Sequence, residues 1–416
     1  KFRDCRLMKI DVMTKDKDIK TTVPTLRFRE FQNDARWIPN KIDHVCKIGN
    51  GRDYKHLSAG NIPVYGSGGY MTSVDKFLYD GESVCIGRKG TIDKPIFLTG
   101  KFWTVDTLFY TYAFHKCLPK FLYLIFQQIN WYKYNEAGGV PSLLKTTIGN
   151  INIFIPNNEN EQKKIVDCFS SLDDLINAVA DKIETLKEYK KGLMQQLFPA
   201  EGKTTPDIRF PEFQNEGKWI LLPIKKCNID ILTGYAFKGS EILEDNNGTP
   251  LMRGINITEG VVRHNNDIDR FYSREDHTLS KYRLLCNDLV IAMDGSKVGR
   301  NFALINKQDE GSLLVQRVAR LRADNIDFIM FIYQQIGSDR FKKYIDRINT
   351  SSGIPHISLK QIEDFKIWTT RNDKEFRMVT NCLSSVDELI STETAKLDQL
   401  KNHKKGLMQQ LFPKLQ

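Results

Sequence analysis

Apolar residues recur at alternating steps of four and three along two long stretches of the chain, which is the heptad spacing of a coiled coil. Charged residues interrupt the stripes at Lys190, Glu393 and Lys404. About 40 helical residues extend roughly 60 Å, and a stripe of that length needs a partner. We predict that the two helices pair and act as a spacer; the alternative is two ordinary helices that each pack locally. The predicted seam comprises Ile165, Phe169, Leu172, Ile176, Val179, Ile183, Leu186 and Leu193 in the first helix, and Leu383, Val386, Ile390, Leu397, Leu400 and Leu407 in the second.

Matching signals mark the ends of both stretches. Asn158 with Glu161, and Asn372 with Glu375, have the side chains of a capping box. Prolines at positions 199 and 413 close the helices. Glycines at 192 and 406 each cost about 1 kcal/mol in a helix interior, which predicts either the close approach of another backbone or a bend.

The chain contains a long internal repeat. The segment KKGLMQQLFP occurs at 190–199 and again at 404–413, a shift of 214 residues, and 20 of 39 positions agree between 161–199 and 375–413. LRFREFQNDARWI at 26–38 matches IRFPEFQNEGKWI at 208–220, here at a shift of 182. The interiors between these borders share little sequence. This pattern predicts a duplicated domain, with one scaffold role and two different ligands.

Short apolar runs broken by Gly, Asn and Asp fill the interiors and predict mixed α/β modules. Strands are expected at 83–87, 95–100, 107–114, 288–293 and 301–305, and buried helices at 120–129 and 326–336. We predict a leader at 1–22, mobile and not wholly native, followed by a first module at 23–156, a first spacer helix at 157–199, a second module at 200–370 and a second spacer helix at 371–416.

Composition excludes several classes of protein. Hydrophobic residues make up 41% of the chain, which argues against long disorder, and no apolar run is long enough for a membrane span. The eight cysteines are scattered singly, so we expect no metal site and a reducing cytoplasm as the location. The net charge is +10; the two helices carry −2 and 0, so the modules and leader hold the excess that a polyanion attracts.

Catalytic signatures of phosphate binding, zinc hydrolysis, acyl transfer and amino-methyl transfer are absent from the sequence. One nuclease-like pattern occurs at Pro206, Asp207, Glu216 and Lys218. Its repeat partners, which include Thr25 in place of Asp207, do not preserve the metal ligand. We therefore expect no catalytic residues on this chain, and keep a self-contained nuclease as an alternative.

Loops between the predicted strands combine cations, amides and aromatic rings, the side chains that grip base edges and phosphates in DNA. Each of these residues taken alone is more often a solvated surface group, but the set favours DNA binding. The candidate contacts are Lys55, Ser67, Tyr70, Arg88, Lys89, Tyr132 and Lys133 in the first module, and Tyr235, Lys238, Arg253, Asn256, Lys297, Arg300 and Arg317 in the second.

The repeated frames, the LRFREF and IRFPEF leaders and the two KKGLMQQLFP endings together resemble the specificity subunit of type I restriction–modification enzymes. The resemblance implies an α+β protein in which two mixed α/β target-recognition domains are joined by two long antiparallel coiled-coil helices, a pseudo-twofold duplication. It also implies that each domain reads one half of an asymmetric, two-part site in double-stranded DNA.

The same resemblance implies the partners and cofactors. Two methyltransferase subunits would transfer a methyl group from S-adenosylmethionine to adenine N6, and restriction subunits would use ATP and Mg for translocation and cleavage. No cofactor is expected on this chain. A second alternative function, beside the nuclease, is a protein scaffold with no role in nucleic-acid binding.

Overall fold

The computed structural model describes residues 7–9, 23–274, 277–295, 297–348 and 355–414. They form two compact units: one contains the described residues up to Asp181 and from Thr394 onward, and the other is Lys182–Glu393. Each unit contains one module together with part of each long helix. Of the predicted leader, only 7–9 lies within the described residues, as a short strand paired with 26–28.

The first unit is built on two four-stranded sheets, with strand orders β6-β5-β10-β7 and β4-β11-β8-β9, and two strand pairs, β1-β2 and β12-β3. Its strands are β1 (Leu7–Lys9), β2 (Leu26–Phe28), β3 (Ile38–Lys41), β4 (Lys47–Asn50), β5 (Ala59–Gly66), β6 (Gly69–Val74), β7 (Tyr79–Asp80), β8 (Ser83–Gly87), β9 (Ile96–Leu98), β10 (Lys101–Thr104), β11 (Leu108–Tyr112) and β12 (Asn152–Ile155). Its helices are α1 (Ile42–Val45), α2 (Pro119–Phe126), α3 (Lys145–Gly149) and the first part of α4 (Glu159–Leu197).

The second unit has a sheet of order β14-β23-β20-β21, which matches β4-β11-β8-β9 of the first unit, a second sheet of order β15-β19-β16-β22, and strand pairs β13-β24 and β17-β18. Its strands are β13 (Ile220–Pro223), β14 (Asp230–Thr233), β15 (Ile242–Leu243), β16 (Thr249–Met252), β17 (Ile257–Thr258), β18 (Val261–Val262), β19 (Phe271–Tyr272), β20 (Leu289–Ala292), β21 (Phe302–Leu304), β22 (Leu313–Leu314), β23 (Val318–Arg322) and β24 (Lys366–Thr369). Its helices are α5 (Ile326–Ile336), α6 (Asp339–Ile348), α7 (Leu359–Asp364) and the first part of α8 (Asp373–Leu411).

The secondary-structure predictions are confirmed at the five predicted strands and the two predicted buried helices, which appear as β8, β9, β11, β20, β21, α2 and α5. The strands are short because each apolar run ends at a turn residue. β8 and β20 lie inside their sheets and are buried along their whole length. The two modules therefore share a fold despite their unlike sequences.

Both predicted long helices are present, as α4 and α8, and each is 39 residues long. Within the second unit Lys182 pairs with Glu393 at 2.5 Å, and Lys190, eight residues later, pairs with Asp387, six residues earlier, at 2.7 Å. This opposite progression shows that the helices run antiparallel. The predicted fold class is confirmed. The predicted seam residues are all buried or half-buried.

The charged interruptions of the seam have partners on the opposite helix. Lys190 contacts Asp387 in the second unit, and Lys404 contacts Asp173 in the first at 2.5 Å. The two pairs are reciprocal, because Lys190 repeats as Lys404 and Asp173 as Asp387. A polar group in an apolar seam fixes the register of a coiled coil, since other registers leave the charge without a partner.

A buried ionic lock joins each repeated leader to the start of its helix. Arg27 donates two hydrogen bonds of 2.7 Å to Glu161, and the Trp37 indole Nε1–H donates a third at 3.1 Å. In the second unit, Arg209 and Trp219 bind Glu375 in the same way, at 2.6, 2.9 and 3.0 Å. The hydrogen bonds from Arg209 to the Glu375 carboxylate raise the pKa of Arg209 above its ordinary value.

The lock corrects the capping-box prediction. Asn158 Oδ1 accepts the Asn160 amide at 3.0 Å, as a cap should, but Glu161 faces Arg27 and Trp37 instead of reaching back to the cap backbone. Asn372 and Glu375 behave identically. A buried guanidinium and indole offer the carboxylate stronger partners than one backbone amide.

The repeated KKGLMQQLFP segments end in the cores. Phe412 packs against Trp37 and Phe121 with ring centroids 5.9 and 5.4 Å away, and Phe198 packs against Trp219 and Phe331. Leu197 and Phe198, at the end of the first repeat, are both buried.

The glycines of the same repeats face open space. A Cβ at Gly192 would meet no atom within 4 Å, and one at Gly406 would meet only the Gln410 side chain, at 4.0 Å. Among the described residues, no backbone of another segment comes close to either glycine, so the predicted close approach does not explain them. Both helices run through their glycine without interruption.

Candidate nucleic-acid interface

In the first module, a hairpin tip and a strand-end loop meet. The turn between β5 and β6 pairs Gly66 with Gly69, whose φ of +110° suits glycine alone. A Cβ at Gly90 would lie 3.3 Å from Ser67 Oγ, so this turn lies against the loop that follows β8. The contact brings Ser67 next to the loop that carries Arg88 and Lys89, which are exposed.

A second loop, residues 135–144, packs against the same strand end. Gly90 donates its amide to the Pro141 carbonyl, and Leu143 donates to the Arg88 carbonyl, both at 2.9 Å. Together with Val140, Arg88 and Lys89 line an open concavity of about 410 Å³. Arg88 and Lys89 therefore project beside a groove rather than from an isolated turn.

The remaining candidates of the first module lie on other loops. Tyr132 and Lys133 are exposed on a 3-10 turn, Trp131–Tyr134, which the buried Trp131 fixes by donating to the Phe126 carbonyl at 2.9 Å. Tyr70 is 63% exposed at the hairpin tip. Lys55 is exposed on the loop before β5, beside His56, whose ring meets Trp103 at 6.0 Å.

In the second module, three loops converge beside β23. Tyr235 donates its amide to Leu314, and Gln316 donates to the Tyr235 carbonyl at 2.8 Å. Arg317 follows directly and reaches Asp294, on the loop after β20, at 3.1 Å. Lys297 lies exposed three residues beyond Asp294. The structure thus brings Tyr235 and Arg317 together with the loop that carries Lys297.

Asn256 requires a correction. Its side chain is 2% exposed, and its Nδ2 donates to Asp269 at 2.9 Å and to the Arg263 carbonyl at 3.3 Å. The side chain cannot meet a base edge without breaking these bonds inside a core. Asn256 is therefore a structural residue of its loop, and the prediction that it contacts DNA is wrong.

Arg253 is half-buried and donates to the Ile268 carbonyl at 3.3 Å. Lys238 and Arg300 are exposed; Lys238 begins a 3-10 turn closed by Glu241, and Arg300 lies 3.8 Å from Asp346. Among the described residues, neither side chain forms a hydrogen bond or ion pair with Tyr235 or Arg317.

Strand register shows which loop positions of the two modules correspond. Leu108 lies opposite Gly87 in the first sheet, as Val318 lies opposite Ala292 in the second. The next amide donates across in both, from Arg88 to the Thr107 carbonyl and from Met293 to the Arg317 carbonyl. Lys89 and Asp294 are then equivalent, as are Thr107 and Arg317. At this equivalent backbone position the first module carries a positive charge, on Lys89, and the second a negative charge, on Asp294.

Sequence reasoning missed Asp294, Gln316 and the loop at 135–144. One signal was available in the sequence: Gly139-Val140-Pro141 recurs as Gly-Ile-Pro at 353–355. Asp294 pairs with His356 in an isolated bridge, at the place where Lys89 pairs with Ser142. Residues 353 and 354 lie outside the described residues.

The nuclease-like residues have other partners. Asp207 accepts from Lys203 at 2.6 Å, and Glu216 accepts from Asn372 at 3.0 Å. Across the described ranges, no cluster of three or more His, Cys, Asp or Glu side chains has the arrangement of a metal site. Within the same residues, every helix is too short or too polar to traverse a bilayer.

Known proteins with a similar sequence or fold include type I restriction enzyme components. Residues 35–188 match the type I restriction modification DNA specificity domain. The specificity subunit of the type I restriction enzyme MjaVIII from Methanocaldococcus jannaschii is 28% identical over 349 residues, which are 80% of this chain and 77% of that protein. The chain is therefore similar to type I restriction–modification specificity subunits over most of its length.

A further relative and a solved structure show the same similarity. That of the type I restriction enzyme EcoAI from Escherichia coli is 31% identical over 221 residues, or 48% of this chain and 36% of that protein. The crystal structure of the S subunit of a type I restriction–modification system from M. genitalium superposes with a TM-score of 0.65 and 15% identity. The superposition covers 95% of this chain and 100% of the M. genitalium chain, so the two proteins share a fold.

Proposed function

We propose that this chain is a type I restriction–modification specificity subunit and that it reads a bipartite, asymmetric DNA site, one half through each module. The observation that carries the proposal is the correspondence of the two strand-end loops. The same backbone position holds Lys89 in one module and Asp294 in the other, and Thr107 corresponds to Arg317. Two copies of one fold that present unlike side chains at one edge suit two different base sequences.

The paired helices α4 and α8 act as the spacer between the half-sites in this proposal. Their register is specified by the reciprocal Lys190–Asp387 and Lys404–Asp173 pairs, so the seam resists slipping. Linking two readers also combines two weak half-site affinities through effective concentration.

Catalysis belongs to partners in this proposal. Two methyltransferase subunits bind the subunit and transfer a methyl group from S-adenosylmethionine to adenine N6. The base must leave the stack to be methylated, so its pocket lies on the partner. Restriction subunits add cleavage with ATP and Mg, and the complex acts on duplex DNA in the cytoplasm. This chain supplies no catalytic group and holds no cofactor.

The open glycine faces of the repeats provide two equivalent docking sites for those two methyltransferase subunits. Gly192 is flanked by exposed Tyr189 and Gln195, and Gly406 by exposed His403 and Gln409. A helix face without a Cβ admits close packing of another helix. Two identical segments suit two copies of one partner.

Methylome sequencing of cells that express this subunit with its methyltransferase partner tests the proposal. We expect one asymmetric motif in two parts with an unread gap, and replacing residues 222–367 with another module should change one half only. A change in both halves contradicts independent reading. Cleavage of DNA by the isolated chain with magnesium would instead favour the nuclease, and DNA binding insensitive to salt would favour the scaffold.

A further inference from the structure

Asp294 and Arg317 form an exposed ion pair at the edge of the second module. Arg317 Nη1 donates to Asp294 Oδ2 at 3.1 Å, and the two side chains are 64% and 32% exposed. The remaining N–H groups of this guanidinium have no hydrogen-bond partner among the described residues. The carboxylate holds one edge of the guanidinium and leaves the other facing outward.

The backbone of Arg317 is strained. Its φ is +64°, a left-handed conformation that non-glycine residues adopt rarely and at a cost. The conformation closes the turn from Val315 to Val318, and the Arg317 carbonyl accepts the Met293 amide at 2.9 Å. Glycine would occupy this position without strain. An arginine at this position indicates that its side chain has a functional role, which compensates for the backbone strain.

We propose that Arg317 reads a guanine in the half-site of the second module, with Asp294 as its positioning residue. This inference rests on the proposed function and names one specificity determinant within it. The free edge of an arginine fork matches guanine O6 and N7 in the major groove. Holding the fork in place beforehand lowers the ordering cost of binding.

A base contact explains the pair better than a phosphate contact does. Asp294 lies 3.1 Å from the guanidinium, and its negative charge repels a neighbouring phosphate. A residue that serves only to anchor the DNA backbone gains nothing from such a neighbour, and phosphate contacts carry no base information. A carboxylate that orients an arginine toward a base edge sharpens discrimination instead.

The first module has no such pair at the corresponding place. Thr107 corresponds to Arg317, and Lys89 to Asp294. The arginine–aspartate pair is therefore present in the second module alone of the two corresponding places. Its removal should leave the sequence read by the first module unchanged.

The test compares subunit variants in the complex with the methyltransferase partner. Arg317→Gly is the principal variant, because it suits the left-handed backbone and so keeps the fold. Arg317→Ala removes the same side chain while retaining the strain. Arg377→Ala is the matched control, since Arg377 is another exposed arginine in an ion pair, with Asp327 at 2.7 Å.

Two measurements apply to each variant: the methylome motif, and DNA affinity for sites that carry each base at every position. For Arg317→Gly we expect the preference for guanine at one position of the second half-site to fall roughly 5- to 150-fold, so that the methylome motif accepts any base there. Thermal unfolding should show a midpoint at or above that of the parent. Arg377→Ala should retain the parent motif.

Asp294→Asn tests the positioning role. We expect a smaller loss of preference at the same guanine, and almost no further loss when Asp294→Asn is combined with Arg317→Gly, because the two residues act as one unit. A merely structural role for Asp294 would instead alter several positions or the unfolding midpoint. Asp294→Glu should restore part of the preference.

Three results would overturn the inference: a second half-site without guanine, an Arg317→Gly motif identical to the parent motif, or an affinity loss equal for all sequences, which marks a phosphate contact. Failure of the proposed function looks different. In that case the parent subunit itself directs no sequence-specific methylation, whatever residue stands at 317.

Discussion

Arg27 and Glu161, 134 residues apart in the chain, form a buried ion pair through two hydrogen bonds of 2.7 Å, with side chains 3% and 1% exposed. The pair fixes the repeated leader onto the first turn of α4. Arg209 and Glu375 repeat the arrangement at α8. Each long helix therefore starts from a point that is bonded to its own module, and a spacer must be attached in this way to set a distance.

Removing one partner of this lock should be costly. Glu161→Ala leaves the Arg27 guanidinium buried without its counter-charge, and we expect a loss of about 3–5 kcal/mol in the free energy of unfolding of the first unit. Urea denaturation followed by tryptophan fluorescence measures it. The control is Glu159→Ala, an exposed carboxylate of the same helical turn, with an expected cost below about 1 kcal/mol. Equal effects of the two variants would refute the lock.

Charge exchange tests the register pairs of the seam. Asp387→Lys places like charges beside Lys190 and should destabilise the second unit, whereas adding Lys190→Asp should recover the loss, with a coupling energy of about 1 kcal/mol. Unfolding at low and high salt measures it, because screening weakens a half-exposed pair. Additive single effects would mean that the contact does not specify register.

Substitutions at the repeat glycine Gly192 test helix stability and partner binding separately. Gly192→Ala enters open space and should raise the free energy of unfolding by about 0.5–1 kcal/mol through better helix propensity. Gly192→Trp should weaken assembly with the methyltransferase subunit, as measured by analytical ultracentrifugation. Gln214→Trp, at an exposed turn position outside the two KKGLMQQLFP segments, is the control. Assembly unaffected by Gly192→Trp would rule out this docking face.

Buried thiols should resist alkylation in the folded chain. Burial raises the pKa of Cys46 and of Cys85 to about 12, so at pH 9 roughly 0.1% of either is thiolate. Mass spectrometry after iodoacetamide at pH 9 should find both unmodified, while half-exposed Cys286 and Cys382 are labelled. Labelling of Cys46 and Cys85 should begin only when urea unfolds the first unit; earlier labelling would show that the core opens locally.

Lengthening both helices tests the spacer. Seven residues inserted after Asp181 and seven after Glu393 preserve the heptad and add roughly 10.5 Å, which corresponds to about three base pairs at 3.4 Å each. The methylome motif should keep both half-sites and gain about three unread positions. The same insertion after exposed Glu201, in a loop, is the control and should leave the gap unchanged. An unaltered gap in the helix variant would disprove the spacer.

The repeated segments also contain the residues of the ionic lock, which the capping-box prediction did not take into account. Arg27, Trp37 and Glu161 recur as Arg209, Trp219 and Glu375 at the shifts of the two matched segments. The recurrence of an acid, a base and an indole was visible, but their contact joins segments more than 120 residues apart. A local rule assigned Glu161 to its nearest amide, and the buried guanidinium competes better for the carboxylate.

By itself, the sequence determined the two long helices, their shared seam, the main strands and the duplication, because heptad spacing, apolar runs and repeats are local or self-evident patterns. Only the tertiary structure decided which loop side chains face outward. It buried Asn256 against Asp269, brought Asp294 to Arg317, and left Gly192 uncovered. Loop conformations depend on strand register and on contacts between distant segments, and neither leaves a periodic signal in the chain.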